Sequence, residues 1–210
     1  MDKAAVERHL AQLEGFKAPS AALEQYTTPA ELAAHLLHLA ALQGDLADRL
    51  VLDLGTGTGL LALGATFGTP ARVVGIDLDH DALVVARRNE ARLGPSLSVD
   101  WLHGDATRPP LCFDGSVPPV TVVMNPPFGA QTANEHADRR FLATAASIAR
   151  VSYSIHNADS RAFIEAFAAD NGGEVTHVFG STVAVDHQFA FHTADRRELD
   201  VEVYRISWTT

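Results

Sequence analysis

Apolar and polar positions follow two patterns along the chain. Short apolar runs that stop at glycine or polar residues are typical of strands buried on both faces of a sheet, whereas apolar residues three or four positions apart are typical of helices. The predicted strands are Val51–Leu54, Arg72–Ile76, Leu97–Leu102, Val120–Met124, Ala149–Ile155, Glu174–Val185 and Leu199–Trp208. The predicted helices are Leu60–Phe67, His80–Leu93, Ala137–Ile148 and Ser160–Ala169, after an amphipathic helix within residues 1–15. This alternation predicts a parallel sheet covered by helices.

The last two predicted strands follow each other without a helix between them, which favours an antiparallel hairpin at the sheet edge. The sequence contains no internal repeat, low-complexity block or long linker, so residues 1–210 are expected to form one domain. The expected fold class is α/β: a Rossmann-like, seven-stranded, mostly parallel sheet with helices on both faces and a C-terminal antiparallel hairpin. Ligands of such sheets bind beyond the carboxyl ends of the strands, where the strand order reverses.

The composition is that of an ordinary globular domain, with 47% hydrophobic and 20% charged residues. No apolar stretch reaches membrane-spanning length, and the N-terminus lacks the apolar segment of a secretory signal, so a cytoplasmic protein is expected. The formal net charge is -10, and Lys3 and Lys17 are the only lysines among 16 basic residues. This charge would repel a polyphosphate and argues against nonspecific binding of nucleic acid. We favour a second interpretation, adaptation to a salty cytoplasm, in which screening weakens that objection.

The single cysteine, Cys112, excludes an intrachain disulfide and a cysteine-based zinc site within this chain, and no metal site is predicted. We expect Cys112 to contribute to packing rather than to act as a nucleophile, because nothing around it in the sequence would activate a thiol. Arg87 and Arg88 are expected on a solvated helix face.

The segment Asp53-Leu54-Gly55-Thr56-Gly57-Thr58-Gly59 follows the first predicted strand and precedes a helix that starts at Leu60. Glycines in such a turn allow positive φ angles and let a ligand approach the backbone. A dinucleotide site would have the spacing G-x-G-x-x-G, but here the third glycine comes one residue early and the turn holds no lysine or arginine. Asp53 would repel a phosphate. The turn therefore predicts a site for a cationic ligand rather than a pyrophosphate.

Acidic residues follow the next two strands. Asp77 lies about 20 residues after the glycine turn, where an acid accepts hydrogen bonds from a ribose. The alternative role for it, capping the next helix, could be filled by Asp79 or Asp81. Asp105 could accept from an adenine amino group while the Ala106 N–H donates, although a turn role for Asp105 is equally consistent with the sequence. Three acids at three strand ends fit a ligand with a ribose, an adenine and a positive charge, as in S-adenosylmethionine.

The strand Val120–Met124 ends in Asn125-Pro126-Pro127-Phe128. Proline ends a strand because it lacks an N–H, yet this explains only one proline and leaves Phe128 unexplained. The exocyclic amine of adenine is a poor nucleophile because its lone pair is delocalised into the ring. The Asn125 side-chain oxygen and the Pro126 carbonyl could each accept one of its N–H groups, and Phe128 could stack on the base. We therefore predict that Asn125, Pro126, Pro127 and Phe128 form the catalytic motif.

The glycine turn, Asp77 and the Asn125–Phe128 motif resemble those of class I S-adenosylmethionine-dependent amino-methyltransferases. Further segments narrow the resemblance to the methyltransferase-like protein five family of archaea and eukaryotes. These segments are Leu23–Pro29, Tyr153–His156, Phe191-His192 and Asp200–Val203. The resemblance extends over nearly the full chain and implies N6-methylation of an adenosine in RNA, specifically in small-subunit ribosomal RNA. It also implies a heterodimer with a small zinc-binding activator protein.

The same resemblance, together with the acids and the motif amide, defines the expected S-adenosylmethionine pocket. Residues 1–45, an N-terminal helical segment, are expected to contribute to it. The predicted cofactor-binding residues are Gln25, Tyr26, Thr28, Asp53, Gly55, Gly57, Thr58, Gly59, Leu60, Asp77, Asp105, Ala106 and Asn125.

The chain departs from that family near its C-terminus. Lysines follow the Phe-His pair in the family, whereas Thr193-Ala194-Asp195 stand there in this chain, and the loop Gly129–Asp138 has no basic residue either. Direct contacts from these loops to phosphates are therefore not expected. The basic residues left for RNA recognition, with base stacking, are Arg139, Arg140, Arg196 and Arg197.

Several alternatives stay open at this point. His156 and His192 could each line the base pocket or lie in the core. A protein glutamine-amide methyltransferase of release factors shares Asn-Pro-Pro, but usually has tyrosine at the fourth position and a helical N-terminal domain for which residues 1–45 leave little room. DNA adenine methylation lacks a visible target-recognition domain. A noncatalytic S-adenosylmethionine-binding subunit is the remaining alternative, and the intact motif argues against it.

Overall fold

The computed structural model describes residues 1–20, 23–95, 97–113, 117–127, 137–186 and 196–209. Seven strands form one sheet in the order β3-β2-β1-β4-β5-β7-β6. Their bounds are β1 Leu50–Leu54, β2 Arg72–Asp77, β3 Asp100–His103, β4 Val120–Met124, β5 Val151–Asn157, β6 Gly173–Asp186 and β7 Arg196–Trp208. β1 to β5 are parallel, and β7 pairs antiparallel with both β5 and β6. The predicted fold class, including the edge hairpin, is confirmed.

Six helices accompany the described strands. They are α1 Lys3–Leu10, α2 Ala30–Leu42, α3 Leu60–Ala65, α4 His80–Leu93, α5 Ala137–Ile148 and α6 Arg161–Asp170. The predicted helix Leu60–Phe67 ends as an α-helix at Ala65 and continues as a 3-10 turn, Thr66–Gly68. None of the helices in the described part of the chain is long and apolar enough to cross a membrane.

The central strands β1 and β4 are buried on both faces of the sheet. In β1, Val51 joins an apolar cluster built with α1, α2 and α3, whereas Leu50, Leu52 and Leu54 join a second cluster built with α5 and α6. All five residues of β1, and all five of β4, are buried. Burial on both faces explains why these strands appear in the sequence as continuous apolar runs.

The strand order reverses at β1, which has β2 on one side and β4 on the other. Leu54, the last residue of β1, pairs with Ile76 of β2 and with Met124 of β4. The residues that follow these three positions therefore meet at one edge of the sheet. This is where ligands bind in sheets of this type.

The predicted start of β3 was wrong: the strand begins at Asp100 and not at Leu97. Val99 is buried, as its apolar character suggested, but its N–H donates to Glu90 Oε1 at 3.0 Å instead of to a neighbouring strand. The other oxygen of Glu90 accepts from the Trp101 indole N–H at 2.7 Å. A side chain from α4 thus replaces the first ladder bonds of the predicted strand.

Candidate cofactor and substrate cleft

A cleft of about 270 Å³ lies at the carboxyl ends of β1, β2 and β4. Most of the predicted site residues line it: Gln25, Tyr26, Thr28, Asp53, Gly55, Gly57, Thr58, Leu60, Asp77, Asp105, Ala106, Asn125, Pro126 and Pro127. Gly59 does not line the cleft but packs under Trp101, since a Cβ atom there would lie 2.6 Å from the indole Cη2. Phe128 lies outside the described residues. The fold therefore brings together segments that are far apart in the sequence.

Three backbone N–H groups of the glycine turn are hydrogen-bonded within the protein. Gly55 and Thr56 both donate to the Ile76 carbonyl at 2.9 Å, and Gly57 donates to Asp77 Oδ2 at 2.7 Å. Gly57 has a φ of 55°, a left-handed conformation that favours glycine. These three donors are satisfied within the protein and are therefore not free to bind phosphate oxygens. This geometry agrees with the expectation of a cationic ligand.

Asp53 supplies a buried negative charge beneath the turn, with only 1% of its surface exposed. Its Oδ2 accepts from the Thr56 hydroxyl at 2.7 Å and from the Ala62 N–H at 2.9 Å, while Oδ1 has no hydrogen-bond partner among the described residues. Burial raises the pKa of Asp53 to about 7 despite these two hydrogen bonds, and the charge of Asp77 acts in the same direction. A cation entering the cleft would stabilise the ionised carboxylate.

Asp77 stands at the end of β2 with both oxygens hydrogen-bonded to backbone. Oδ2 accepts from Gly57 at 2.7 Å and Oδ1 from Asp79 at 2.8 Å. Burial raises the pKa of Asp77. The capping role considered for Asp77 belongs to Asp79, which caps α4 by accepting from the Asp81 N–H at 2.9 Å. Asp77 is thus left facing the cleft, where the predicted ribose contact remains a proposal.

Asp105 has the turn role that the sequence left open. Its Oδ1 accepts from both the N–H and the hydroxyl of Thr107, at 2.8 Å and 2.7 Å. Asp105 and the buried Ala106 nevertheless line the cleft beside Asp77. The turn therefore positions these two residues, and their contact with an adenine remains a prediction.

Asn125 presents the most informative polar group of the cleft. Its Nδ2 donates to the Thr28 hydroxyl at 2.9 Å, which fixes the orientation of the side-chain amide. Its Oδ1 is buried and has no hydrogen-bond partner among the described residues. A buried carbonyl oxygen without a donor is costly, and this one belongs to a residue that lines the cleft, where an N–H group of a ligand could supply the missing hydrogen bond. Pro126 and Pro127 follow Asn125 along the same wall of the cleft.

The sequence analysis missed two aromatic residues of the cleft, Phe16 and Phe141. A Cβ atom on Gly57 would lie 2.8 Å from Phe16 Cζ, and one on Gly55 would lie 3.1 Å from Phe141 Cε1. The glycines of the turn are thus needed for close packing of rings as well as for backbone conformation. No spacing rule in the sequence connects these rings with the turn.

The candidate RNA-binding arginines differ in their surroundings. Arg140 lines the cleft, whereas the Arg139 guanidinium lies over the Phe167 ring, 5.7 Å from its centroid. The side chains of Arg196 and Arg197, and all of His192, lie outside the described residues. Only Arg140 is therefore placed by the structure at the cleft wall.

The remaining candidates lie away from the cleft. His156 is a core residue, 1% exposed, whose ring meets Tyr204 edge to face at 5.9 Å, and burial lowers its pKa to about 3. Cys112 is exposed, so the expected packing role was wrong, while Arg87 and Arg88 lie on an exposed helix face as predicted. Within the described ranges, no group of three or more His, Cys, Asp or Glu could hold a metal ion.

The chain is similar to a known protein family and to several known proteins. The chain matches the Methyltransferase small domain family over residues 31–152. It is 32% identical to the rRNA N(6)-adenosine-methyltransferase Mettl5 of Drosophila melanogaster, across 95% of this chain and 93% of that protein. An uncharacterized protein of Methanocaldococcus jannaschii is 34% identical across 96% of this chain and 92% of its own length. A solved structure from Pyrococcus horikoshii, described as a candidate RNA methyltransferase, is 36% identical, covers 100% of this chain and 99% of its own, and superimposes with a TM-score of 0.86.

Release factor glutamine methyltransferases are similar over a shorter region. The enzyme of Deinococcus radiodurans is 43% identical over 79 residues, which are 37% of this chain and 26% of that protein. The similarity to the rRNA methyltransferase therefore extends through the N-terminal segment and the C-terminal hairpin, whereas the similarity to the release factor enzyme is local.

Proposed function

Since the chain belongs to the Methyltransferase small domain family, we propose that it transfers a methyl group from S-adenosylmethionine to the N6 amine of an adenosine in RNA, with small-subunit ribosomal RNA as the substrate. The observation that carries the proposal is the buried, unpartnered Oδ1 of Asn125 in a cleft lined by the buried Asp53 and the partly buried Asp77. The full-length similarity to an rRNA N(6)-adenosine-methyltransferase supports the choice of RNA. An RNA substrate of this kind also favours the cytoplasm as the location.

The cleft fits the methyl donor in charge and in hydrogen bonding. When bound, S-adenosylmethionine supplies an electrophilic methyl group on a positively charged sulfur. Asp53 and Asp77 provide negative charge near the glycine turn, and the N–H groups of Gly55, Thr56 and Gly57 are already satisfied within the protein. We assign Asp77 to the ribose hydroxyls and the Asp105-Ala106 turn to the adenine, which the lining of the cleft supports.

Asn125 and Pro126 would orient the acceptor amine. The Thr28 hydroxyl holds the Asn125 Nδ2, so the Oδ1 faces an incoming N–H donor, and the Pro126 carbonyl can take the second N–H. Two acceptors on one amine draw its lone pair out of conjugation with the ring and towards the methyl group. No strong base is required, because the product ammonium loses its proton after transfer. Positioning therefore supplies most of the rate enhancement.

The arrangement also suits other planar amines, and the glutamine amide of a release factor is the second candidate. The local extent of the similarity to release factor enzymes favours RNA over that alternative. A noncatalytic role would leave the unpartnered Asn125 oxygen without a function.

Transfer of tritium from labelled S-adenosylmethionine tests the proposal. The purified protein is incubated with small-subunit ribosomal RNA or with release factor, and the RNA is digested to nucleosides. We expect label in N6-methyladenosine and none in release factor. Label in release factor alone would support the second candidate, and no label with either substrate, in the presence of the partner described below, would support a noncatalytic subunit.

The proposal includes a heterodimer with a small zinc-binding activator protein. A groove of about 500 Å³ beside β3 supports it, with a lining that is largely apolar and includes Leu102, Leu111 and the 37%-exposed Phe113. Among the described strands β3 pairs only with β2, so its outer edge is open to a strand of another protein. A partner strand along β3, with apolar side chains in the groove, would cover both the open strand edge and the apolar lining.

Copurification tests this partner. When the chain is co-expressed with the activator protein of the same organism, we expect a 1:1 complex that Phe113→Asp disrupts. Leu42→Asp is the matched control, since Leu42 is a 70%-exposed apolar residue on α2, away from β3. A complex that survives Phe113→Asp, or that both variants disrupt equally, would exclude the β3 groove as the docking surface.

A further inference from the structure

An N-terminal strap, defined as residues 12–20 and 23–28, runs from α1 to α2 along the cofactor cleft. Phe16, Leu23 and Tyr26 of the strap line the cleft, and the Phe16 ring lies against Gly57. The described residues of the strap contain no α-helix or strand, so the position of the strap depends on tethers to the rest of the fold. Side chains of α4 and its N-cap supply these tethers.

The first tether is Asn89, a completely buried residue of α4 with 0% exposure. Its Oδ1 accepts from the Glu14 N–H at 2.8 Å, and its Nδ2 donates to the Glu14 carbonyl at 2.9 Å. The same Nδ2 donates to the Thr58 carbonyl of the glycine turn at 3.0 Å. The Asn89 side-chain amide thus binds both the N–H and the carbonyl of Glu14 in the strap, and it also binds the Thr58 carbonyl of the glycine turn.

The second tether is Gln25, near the other end of the strap. Its Oε1 accepts from the Ser20 N–H at 2.7 Å, and its Nε2 donates to Asp79 Oδ2 at 2.6 Å. Asp79 precedes α4, the helix that carries Asn89, and its N–H donates to Asp77. Both tethers therefore fix the strap to the segment that also positions the proposed ribose-binding acid.

The chemistry of the first tether requires a carboxamide. Its two carbonyl partners, Glu14 O and Thr58 O, need donors, whereas the Glu14 N–H needs an acceptor. Aspartate has the same shape but turns both donor contacts into contacts between oxygens, which is costly in a buried site. A methyl group in place of the side chain would leave all three backbone groups of the strap and turn unsatisfied.

We propose that Asn89 is a positioning residue for cofactor binding: it latches the strap against the glycine turn and thereby holds Phe16 over Gly57. This inference rests on the proposed function only in taking S-adenosylmethionine as the ligand. Asn89 touches neither cofactor nor substrate in this account. Its loss should therefore weaken cofactor affinity through the strap and leave the methyl-transfer step intact.

Calorimetric titration of Asn89→Asp with S-adenosylmethionine is the direct test. We expect at least a tenfold increase in Kd, equivalent to about 1.4 kcal/mol, with the RNA KM and the kcat at saturating cofactor within about twofold of the wild type by the distinction between binding and transition-state effects. Hydrogen exchange of the unliganded variant should accelerate in residues 12–20, which is a readout independent of activity. An unchanged Kd would overturn the proposal, and so would unchanged exchange in the strap.

Thr121→Val is the matched control for a loss of stability. Thr121 is also 0% exposed and its hydroxyl donates to the Asp45 carbonyl at 2.6 Å, but it lies in β4 at the opposite end of the sheet. This variant should lose stability while keeping the wild-type Kd. If Thr121→Val weakens cofactor binding as much as Asn89→Asp does, Asn89 has only a general structural role.

Phe16→Ala keeps the proposal testable if Asn89→Asp does not fold. Phe16 is only partly buried, so its removal should leave the fold intact and still weaken cofactor affinity several-fold. Where Asn89→Asp does fold, the effects of the two substitutions should not add in the double variant, because Asn89 acts through the position of that ring. Unchanged affinity in Phe16→Ala would overturn the proposal, whereas a wild-type protein that binds no S-adenosylmethionine would instead overturn the proposed function.

Discussion

A buried aspartate lies at each end of the parallel sheet, and the two differ in their hydrogen-bond and ion-pair partners. At the amino end, Asp45 is 5% exposed and its Oδ2 accepts from the Tyr153 hydroxyl at 2.6 Å and from Arg205 Nε at 2.9 Å. At the carboxyl end, Asp53 is 1% exposed, forms none of the ion pairs found among the described residues, and keeps one oxygen without a hydrogen bond.

This difference in partners distinguishes a buried carboxylate that stabilises the fold from one that is available to a ligand. A carboxylate that is paired with a guanidinium and a hydroxyl has its desolvation cost offset within the fold. Burial raises the pKa of a carboxyl group that has no neighbouring cation, as it does for Asp53. Such a group is suited to a ligand that carries a positive charge. The amino end is thus complete without ligands, whereas the carboxyl end keeps polar groups without partners, and we propose that the ligands complete it.

The largest effect is expected for Asn125→Ala at the incomplete end. Loss of the Oδ1 acceptor should lower kcat by more than about 100-fold, in the range typical for loss of a single positioning group. Cofactor Kd should stay close to that of the wild type and the thermal midpoint should fall only slightly, because the described contacts of the Asn125 side chain amount to one hydrogen bond, from Nδ2 to the Thr28 hydroxyl. Steady-state tritium transfer gives kcat, titration calorimetry gives Kd, and scanning calorimetry gives the thermal midpoint. Turnover equal to that of the wild type would remove Asn125 from the mechanism.

Asp45→Asn tests the complete end, where the effect should fall on stability alone. Arg205, whose side chain is 14% exposed, would lose its ion-pair partner, and the cost should be about 3 kcal/mol of unfolding free energy. Urea denaturation measures this cost. Cofactor Kd should be unchanged, so a variant of normal stability or of weakened affinity would contradict the separation between the two ends.

Asp77→Ala should weaken cofactor binding about tenfold or more, as expected for loss of a charged hydrogen-bond acceptor. The Gly57 and Asp79 N–H groups also lose their acceptor, so a small loss of stability is expected as well. Calorimetry at constant pH gives the Kd. If affinity is unchanged, Asp77 does not contact the ribose.

The last prediction concerns pH, whose effect on cofactor affinity is small near neutrality. Because the pKa of Asp53 is raised to about 7, protonation below that pH removes the charge that attracts the cationic cofactor. Affinity should therefore fall by up to about tenfold per pH unit below 7 and level off above it, since one proton is linked to binding. The Asp53→Asn variant should bind weakly at every pH and show a flatter profile between pH 5.5 and 7. A wild-type profile that is already flat would contradict this role for Asp53.

Much of the fold could be predicted from local sequence, because strands that are buried on both faces appear as continuous apolar runs. Val120–Met124 and His80–Leu93 have the predicted bounds. The start of β3 differs because a distant side chain, Glu90, takes the hydrogen bond of Val99, and no local pattern encodes that contact. The glycines, acids and motif could be predicted as members of one site because their positions at strand ends bring them together.

Other features of the site depend on tertiary contacts. The packing of Phe16 on Gly57 joins positions 41 residues apart, and the sequence contains no spacing that relates them. Asn89 follows two arginines and resembles part of a solvated helix face, although it lies three and four positions after the buried Ala86 and Val85. That spacing was the available sign that Asn89 faces the core.

A crystal structure with an S-adenosylmethionine analogue and adenosine bound is the most direct test of the claim that the carboxyl end of the sheet is completed by these ligands. The account predicts the cationic centre of the analogue near the glycine turn and Asp53, and the adenosine amine within hydrogen-bond distance of Asn125 Oδ1 and the Pro126 carbonyl. Ligands bound elsewhere, or an adenosine amine turned away from both oxygens, would contradict it.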